Sequence, residues 1–464
     1  MSSIELPPLV HDPKFRARRV QNWVVLGLLY SLFYMSRYNF AAVMGKVAHF
    51  LGLTNVDTGT FETVMPLVYG LSVVLNGPIA DRVGGKKAFL FGALGVMCAN
   101  ILFGLLLMTV SVPAVWEDKE LVSKAQVAFG LEHSTLMTLL VILWGMNGYF
   151  QSFGALSIVK VNAQWFHVTE RGTFSGIFGV LIRLGLLLAF SGVPAIASVL
   201  PIQFAFIVPG LLVGVFFVLN LFLMENSPKD AGFHGFDTGD EITPEDDRPV
   251  HIVDVLRKVF ASRVTWTIAI CSMMIGFVRR STVDVWFSKY FSDVYLPKEA
   301  DLGSFAPYQA TAVGIAILGI LGGFAFGITS DRLFQARRAP VIVFGFLGMA
   351  LVLAAFGASD MLGGGPWPAV VCLSLLSFFV NGAHGMVGGA ASMDFGGRRA
   401  AATAAGLFDG MQYLASSVVG VGMGWLLDNY GWQAWQWAPI PFALCGCALM
   451  ATLWNVTPKR QSSH

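Results

Sequence analysis

Twelve stretches of this chain run mainly apolar for about 20 residues or more, the length an α-helix needs to cross the hydrocarbon core of a bilayer. The apolar residues come in spans and not at the spacing of an amphipathic helix in water. Only 12% of the 464 residues are charged, where a soluble domain carries about 25%. Spans fall near 20–50, 60–82, 86–110, 134–164, 171–196 and 201–224, and again near 263–291, 308–332, 338–359, 366–393, 400–427 and 432–456. The first, fourth, seventh and tenth are long enough to tilt in the membrane or project beyond it. The 51 glycines suit helices that pack closely through small residues in lipid.

Loop charge orients the chain, because Lys and Arg gather in short cytoplasmic loops. Lys14, Arg16, Arg18 and Arg19 precede the first span; Arg82, Lys86 and Lys87 follow the second; Arg332, Arg337 and Arg338 follow the eighth. Arg171, Arg398, Arg399, Lys459 and Arg460 fall on the same face, and the opposite loops hold little beyond Lys119, Lys124 and Lys298. Both termini are therefore expected in the cytoplasm of a multi-pass cell-membrane protein, as an even number of spans requires. The first apolar run is too long for a signal-peptide core, and no small-residue cleavage site follows it. One long hydrophilic connection, residues 225–262, reads as a cytoplasmic linker between units at 1–224 and 263–464. A short helix is expected within it near Val253–Phe260. On the other face, Trp116–Gly130 is expected to form an amphipathic surface helix. Cys98, Cys271, Cys372, Cys445 and Cys447 lie in apolar stretches and read as packing residues.

The two units repeat. Gly77 precedes Asp81-Arg82 after the second span, with Lys86-Lys87 beyond; Gly327 precedes Asp331-Arg332 after the eighth, with Arg337-Arg338 beyond. We expect Asp81, Arg82, Asp331 and Arg332 to act as a gate, through charge pairs made and broken as the halves rock. The expected fold class is an all-α integral membrane protein, with 12 transmembrane helices in two pseudo-symmetric six-helix bundles.

A charge at mid-bilayer costs about 2.5–3.5 kcal/mol on insertion scales, so charges inside spans are functional candidates. They are Arg37, Lys46, Lys160, Arg183, Arg279, Arg280, Asp284, Lys289 and Asp409. Positive charge dominates, as suits a cavity through which an anion passes, and the guanidinium fork binds phosphate or carboxylate through two parallel hydrogen bonds. Arg37 has no acid one turn away, and Arg279 and Arg280 occupy the corresponding span of the second half. Asp284 follows Arg280 by four residues, a spacing that would pair them on one helix face. Arg183 is a third candidate cation. Asp409 reads either as a proton acceptor or as a partner of an arginine. His384 reads as a packing residue or a relay, and Tyr34, Tyr38 and Trp286 as donors to a polar substrate or as packing. Lys46, Lys160 and Lys289 are expected to reach toward the membrane surface.

With these features in place, the chain resembles the major facilitator superfamily, and within it the organophosphate–phosphate antiporter family. The likeness is carried by the run Phe33-Tyr34-Met35-Ser36-Arg37-Tyr38-Asn39-Phe40 and by Arg280 with Trp286 and Tyr290. It is also carried by Tyr69-Gly70, Glu170-Arg171-Gly172, Ser227-Pro228 through Gly232, and Thr403-Ala404-Ala405-Gly406. The resemblance implies alternating access, a mid-membrane site, Arg37 and Arg280 as the phosphate-binding pair, and inorganic phosphate as the exchanged ion. Positions tied to the organic end of the substrate in glycerol-phosphate and hexose-phosphate carriers differ here, at Val74, Ile182, Ala405 and Phe408. The likeness therefore implies no particular organic substrate. The anion–cation symporter family shares the Arg-x-Asn of the first span, so proton- or sodium-coupled carboxylate uptake is the alternative, and a transporter-like sugar-phosphate sensor is another.

The expected partners are a small anionic substrate, inorganic phosphate and the lipid bilayer, with no nucleic acid, no cofactor and no second copy of the chain. No metal-ligand cluster, nucleophile–base arrangement or phosphate-cradling glycine loop is evident, so an enzyme is not expected.

Overall fold

The computed structural model describes residues 12–117, 120–167, 170–238, 261–296, 301–335, 337–387 and 392–456, with side chains described throughout except at 74, 78, 81, 171–178 and 392–406. The first bundle comprises Pro13–Ala42, continued past Val43 as Met44–Leu51, then Asn55–Val83, Gly85–Leu107 and His133–Trp165. Its fifth span runs from Arg171–Leu187 through one π-helical turn, Leu188–Gly192, into Val193–Val199, and its sixth is Phe204–Leu223. The second bundle comprises Arg263–Ser281 continued as Trp286–Tyr290, then Ala306–Arg332, Arg338–Met361, Pro366–Gly385, Ser392–Tyr430 and Ile440–Ala451. Among the described residues, 7 helices are by themselves long and apolar enough to cross a membrane. The first and seventh spans, which carry arginines in their interiors, are not among them.

Local chemistry sets the ends. Asp12 Oδ1 accepts from Lys14 N at 2.9 Å, and Pro13 opens the first helix with a φ already suited to it. Thr54 and Asp57 form a reciprocal capping box that starts the second span. Gly84, at φ +88°, turns the chain between the second and third spans, a conformation that favours glycine. The first helix begins earlier than its apolar run, because Phe15 packs on Trp165 and Phe233 with ring centroids 6.1 and 5.4 Å apart.

Trp116–Gly130 is not a surface helix. Val110–Val112 pairs with Gln126–Val127, and Val115–Glu117 with Glu120–Ser123, as two antiparallel ribbons. Val-Ser-Val alternates with period 2, valines are enriched in both Val110–Val112 and Glu120–Ser123, and Pro113 interrupts helix at that point. Trp116 Nε1 donates to His49 O at 2.9 Å, which seats the ribbons on the outer end of the first span. The expected helix at Val253–Phe260 lies outside the described residues.

The ribbons mark one face of the molecule, and the basic loops mark the other. Contacts between the bundles concentrate toward the ribbon face. Asp428 Oδ1 accepts from Asn55 N and Nδ2 at 3.1 and 2.8 Å, and its Oδ2 accepts from Val56 N at 3.0 Å. Val421 N donates to Thr63 Oγ1 at 2.9 Å, and Thr63 Oγ1 donates to Ser417 O at 2.7 Å. Gly59 and Gly420 let the second and eleventh spans approach so closely that a Cβ on Gly59 would lie 2.3 Å from Gly420 O. This closeness has a direct consequence. In a background without the five native cysteines, Thr63→Cys with Val421→Cys should cross-link under mild oxidation, as read by gel mobility with and without reductant. A pair that stays free under those conditions would contradict a closed ribbon face.

Candidate functional site

Arg37 is buried on the first span and is held by neutral partners. Its Nε and Nη2 donate to Gln151 Oε1 at 3.4 and 3.3 Å. Gln151 is itself oriented, because its Nε2 donates to Phe33 O at 2.9 Å. Behind it runs an amide ladder: Asn39 Nδ2 to Asn100 Oδ1 (2.9 Å), Asn100 Nδ2 to Asn147 Oδ1 (3.3 Å), and Asn147 Nδ2 to Ser36 O (2.9 Å). Such a network fixes side chains in a low-dielectric interior while adding no charge. The guanidinium carbon lies 4.7 Å from the Tyr34 ring centroid and 4.4 Å from that of Tyr69, within cation–π range. Among the described residues Arg37 has no carboxylate partner.

Arg280 ends the long helix of the seventh span. Ser281-Thr282-Val283, with two β-branched residues in sequence, leads into a break over Thr282–Val285, and Thr282 leaves helical geometry at φ −122°, ψ −83°. The break overturns the expected Arg280–Asp284 pair. Asp284 Oδ2 lies 2.9 Å from Arg279 Nε as an ion pair, and Asp284 N donates to Arg279 O at 3.1 Å. Arg280 turns the other way, and its Nη2 donates to Glu62 Oε2 of the first bundle at 2.5 Å. Its Nε is buried with no hydrogen-bond partner among the described residues, as is Trp286 Nε1. The Arg280 guanidinium also lies 5.6 Å from the Tyr38 ring. Tyr34 and Tyr38 stack at 6.1 Å, so one aromatic pair links the two arginines.

The remaining candidates divide. Arg183 crosses to the second bundle, where Nη2 donates to Asn381 Oδ1 and the guanidinium lies against Gly319. His384 Nδ1 is bonded to Gln412 Nε2 at 2.9 Å, and the same amide donates to Ser272 Oγ at 2.9 Å, so His384 sits in a neutral network inside the second bundle. Asp409 is exposed and joins no ion pair among the described residues. Trp286 is fully buried, in the short helix after the break.

Two expected snorkelling lysines do otherwise. Lys289 is buried and pairs with Asp293 at 2.5 Å, one turn along its own helix. Lys46 Nζ pairs with Asp301 of the second bundle at 2.6 Å and also donates to Ala197 O. Beside them Ser288 Oγ donates to Ala41 O across the bundles. A cavity of about 860 Å³ at the ribbon face is lined by Lys46, His49, Lys289, Asp293, Asp301 and Asp428, apart from the arginines. Lys160 Nζ donates to Ala80 O at 3.2 Å. At the basic face Asp331 pairs with Arg338 at 2.5 Å, while Arg82 and Arg332 are exposed. The side chain of Asp81 lies outside the described residues.

Glu62 escaped the sequence reading, although it falls inside the expected second span and the insertion-cost argument applies to it as to the arginines. Gln151, Tyr69 and Asn381 gave no such signal, being uncharged polar residues in apolar runs.

Two six-helix bundles with cationic groups buried between them define a multi-pass membrane transporter. The Major Facilitator Superfamily profile matches residues 26–420, and the chain belongs to that superfamily. It is 22% identical over 481 residues to a probable hexose phosphate transport protein of Chlamydia trachomatis, covering 98% of this chain and 96% of that protein. It is 24% identical over 459 residues to the glycerol-3-phosphate transporter of Bacillus subtilis, covering 97% and 95%. In fold it resembles the inward-facing, unoccupied structure of a bacterial homologue of the human lysosomal transporter Spinster, with a TM-score of 0.70 at 11% identity, covering 93% of this chain and 96% of that one. The protein is thus a transporter and not an enzyme.

The cross-bundle pair at the ribbon face offers a test of closure. Lys46→Ala removes the ammonium that holds Asp301, so a Ser292→Cys reporter beside it should react several-fold faster with a membrane-impermeant maleimide. An unchanged labelling rate would show that the pair does not hold the face shut.

Proposed function

We propose that the protein exchanges a small organophosphate or related organic anion for inorganic phosphate by alternating access, working as a monomer in the cell membrane with both termini in the cytoplasm. The observation that carries this reading is Arg37, a buried guanidinium whose partners are an amide and two tyrosine rings. Burying an uncompensated charge is costly, and an anion supplied by the substrate offsets that cost. Arg37 and Arg280 form the shared anion site, one from each bundle. Tyr34 and Tyr38 line the path between them, and Trp286 Nε1 supplies a further donor. Arg183, Asp284, Asp409 and His384 set the charge and polarity around it.

Exchange follows from the same charge. An occupied site is neutral enough for the bundles to close over it, whereas an empty one leaves Arg37 uncompensated as the site changes sides. At the basic face Asp81, Arg82, Asp331 and Arg332 form the gate. The likeness to a hexose phosphate transport protein and a glycerol-3-phosphate transporter supports phosphate as the common ion. The organic end of the substrate is set by Arg183 and the residues around it.

Phosphate counterflow in proteoliposomes tests the reading. Arg37→Lys and Arg280→Lys keep the charge and lose the fork, so each should lower phosphate affinity by roughly tenfold or more, the worth of a charge-assisted hydrogen bond. Wild-type exchange in both variants would remove the site. Uptake of an organic carboxylate driven by protons or sodium with no phosphate exchange would favour symport, and binding without flux would favour a sensor.

A further inference from the structure

The ion pair between Glu62 and Arg280 adds an acidic group to the two-arginine anion site, and the role inferred for it depends on that site being correct. Glu62 is a carboxylate from the first bundle placed on the guanidinium that the anion would need. Its side chain is 3% exposed and that of Arg280 is 8% exposed, with the two 2.5 Å apart. An arriving anion competes with Glu62 for the charge and the donor fork of Arg280, and two negative charges on one buried guanidinium repel each other. Arg280 Nε, buried and unpartnered among the described residues, gives the anion its first donor. As the anion takes the guanidinium over, Glu62 is left buried without its counter-charge, a state that protonation relieves.

Among the described residues Arg280 is the one cation that forms an ion pair with Glu62. Besides Arg280, the seventh-span charge that acts on Glu62 is Asp284, which is committed to Arg279. From the first span comes Tyr38, whose ring lies under Arg280. The fourth span meets the second here through Gly145 and Gly148, against Val64 and Met65. On the eleventh span the Tyr413 ring packs at a tilt on Tyr69, about two turns along the second span from Glu62, and Asp409 lies one turn before Tyr413.

We propose that Glu62 is the proton-coupling residue of this transporter. Anion binding at Arg280 breaks the ion pair, the Glu62 carboxylate takes a proton from the aqueous side then open, and each anion crosses with one proton. On release the order reverses: the anion leaves, Glu62 gives up the proton and the ion pair re-forms. The pair thus serves as a lock between the bundles in the empty protein and as a sensor of occupancy.

The test uses purified full-length protein with inorganic phosphate as the probe. Phosphate affinity is measured at pH 6, 7 and 8 for wild type and Glu62→Gln, and protons taken up on binding are counted with a dye in weakly buffered solution. Phosphate's own titration is common to both proteins, so the difference between them is the readout. Wild type should lose affinity with rising pH more steeply than Glu62→Gln, by about tenfold per pH unit where one proton is linked, and should take up one more proton per phosphate. Equal pH slopes and equal proton counts in two proteins that both bind phosphate would overturn the proposal while leaving the anion site intact. No phosphate binding by either would overturn the anion site, and this proposal with it. If Glu62→Gln does not fold, Glu62→Asp serves: its shorter side chain weakens the pair, so phosphate should bind more tightly at pH 8, and unchanged affinity would count against the proposal.

Discussion

Buried positive charge is the constraint on which the rest of this structure depends. A guanidinium taken out of water needs a carboxylate, a set of hydrogen bonds or an aromatic face, and these supports differ in strength. Arg279 has Asp284, Arg280 has Glu62, and Arg183 has Asn381. Arg37 has an amide oxygen and the rings of Tyr34 and Tyr69. Arg279 and Arg280 thus have carboxylates, whereas Arg183 and Arg37 are held by neutral groups, and of these two Arg37 is the buried one.

The backbone is shaped to the same end. Val43 interrupts the first span six residues after Arg37, and Thr282–Val285 interrupts the seventh soon after Arg280. Broken helices at corresponding places in two repeats are how transporter folds bring unusual side-chain directions to a central site. Here the break folds Asp284 back onto Arg279, while Arg280, the next residue of the same helix, crosses to Glu62. The short helix after the seventh-span break meets the end of the long first helix through Ser288 and Ala41, close to Lys46 and Asp301, so the elements that carry the arginines also build the ribbon-face closure. Occupancy of the site and closure of that face are therefore mechanically adjacent.

Much of the fold was legible in sequence because a bilayer imposes a length on each span and a bias on each loop, and both are written in composition. The twelve spans and the paired Asp-Arg loops follow from that alone. Interruptions inside spans were not legible. A helix that breaks at Thr282 and one that continues have the same apolar profile, so the spacing of Arg280 and Asp284 pointed to a pair that the backbone does not allow. Ribbon structure at 110–127 was masked by the apolar, aromatic look of Trp116 and its neighbours, which suits an interfacial helix equally well. Partners across the interface, such as Glu62 for Arg280 and Asn381 for Arg183, depend on how two bundles meet, and no local pattern carries that information.

The central claim is that an anion sits between Arg37 and Arg280 and nowhere else in the interior. Arsenate, a heavy tetrahedral analogue of phosphate, makes that position directly visible by anomalous scattering in crystals of the protein soaked at several concentrations. The account predicts one site that fills first, within hydrogen-bond distance of both guanidinium groups, with the Glu62 carboxylate displaced from Arg280. A first site beside Arg183 or in the ribbon-face cavity, with the Glu62–Arg280 pair intact, would contradict it.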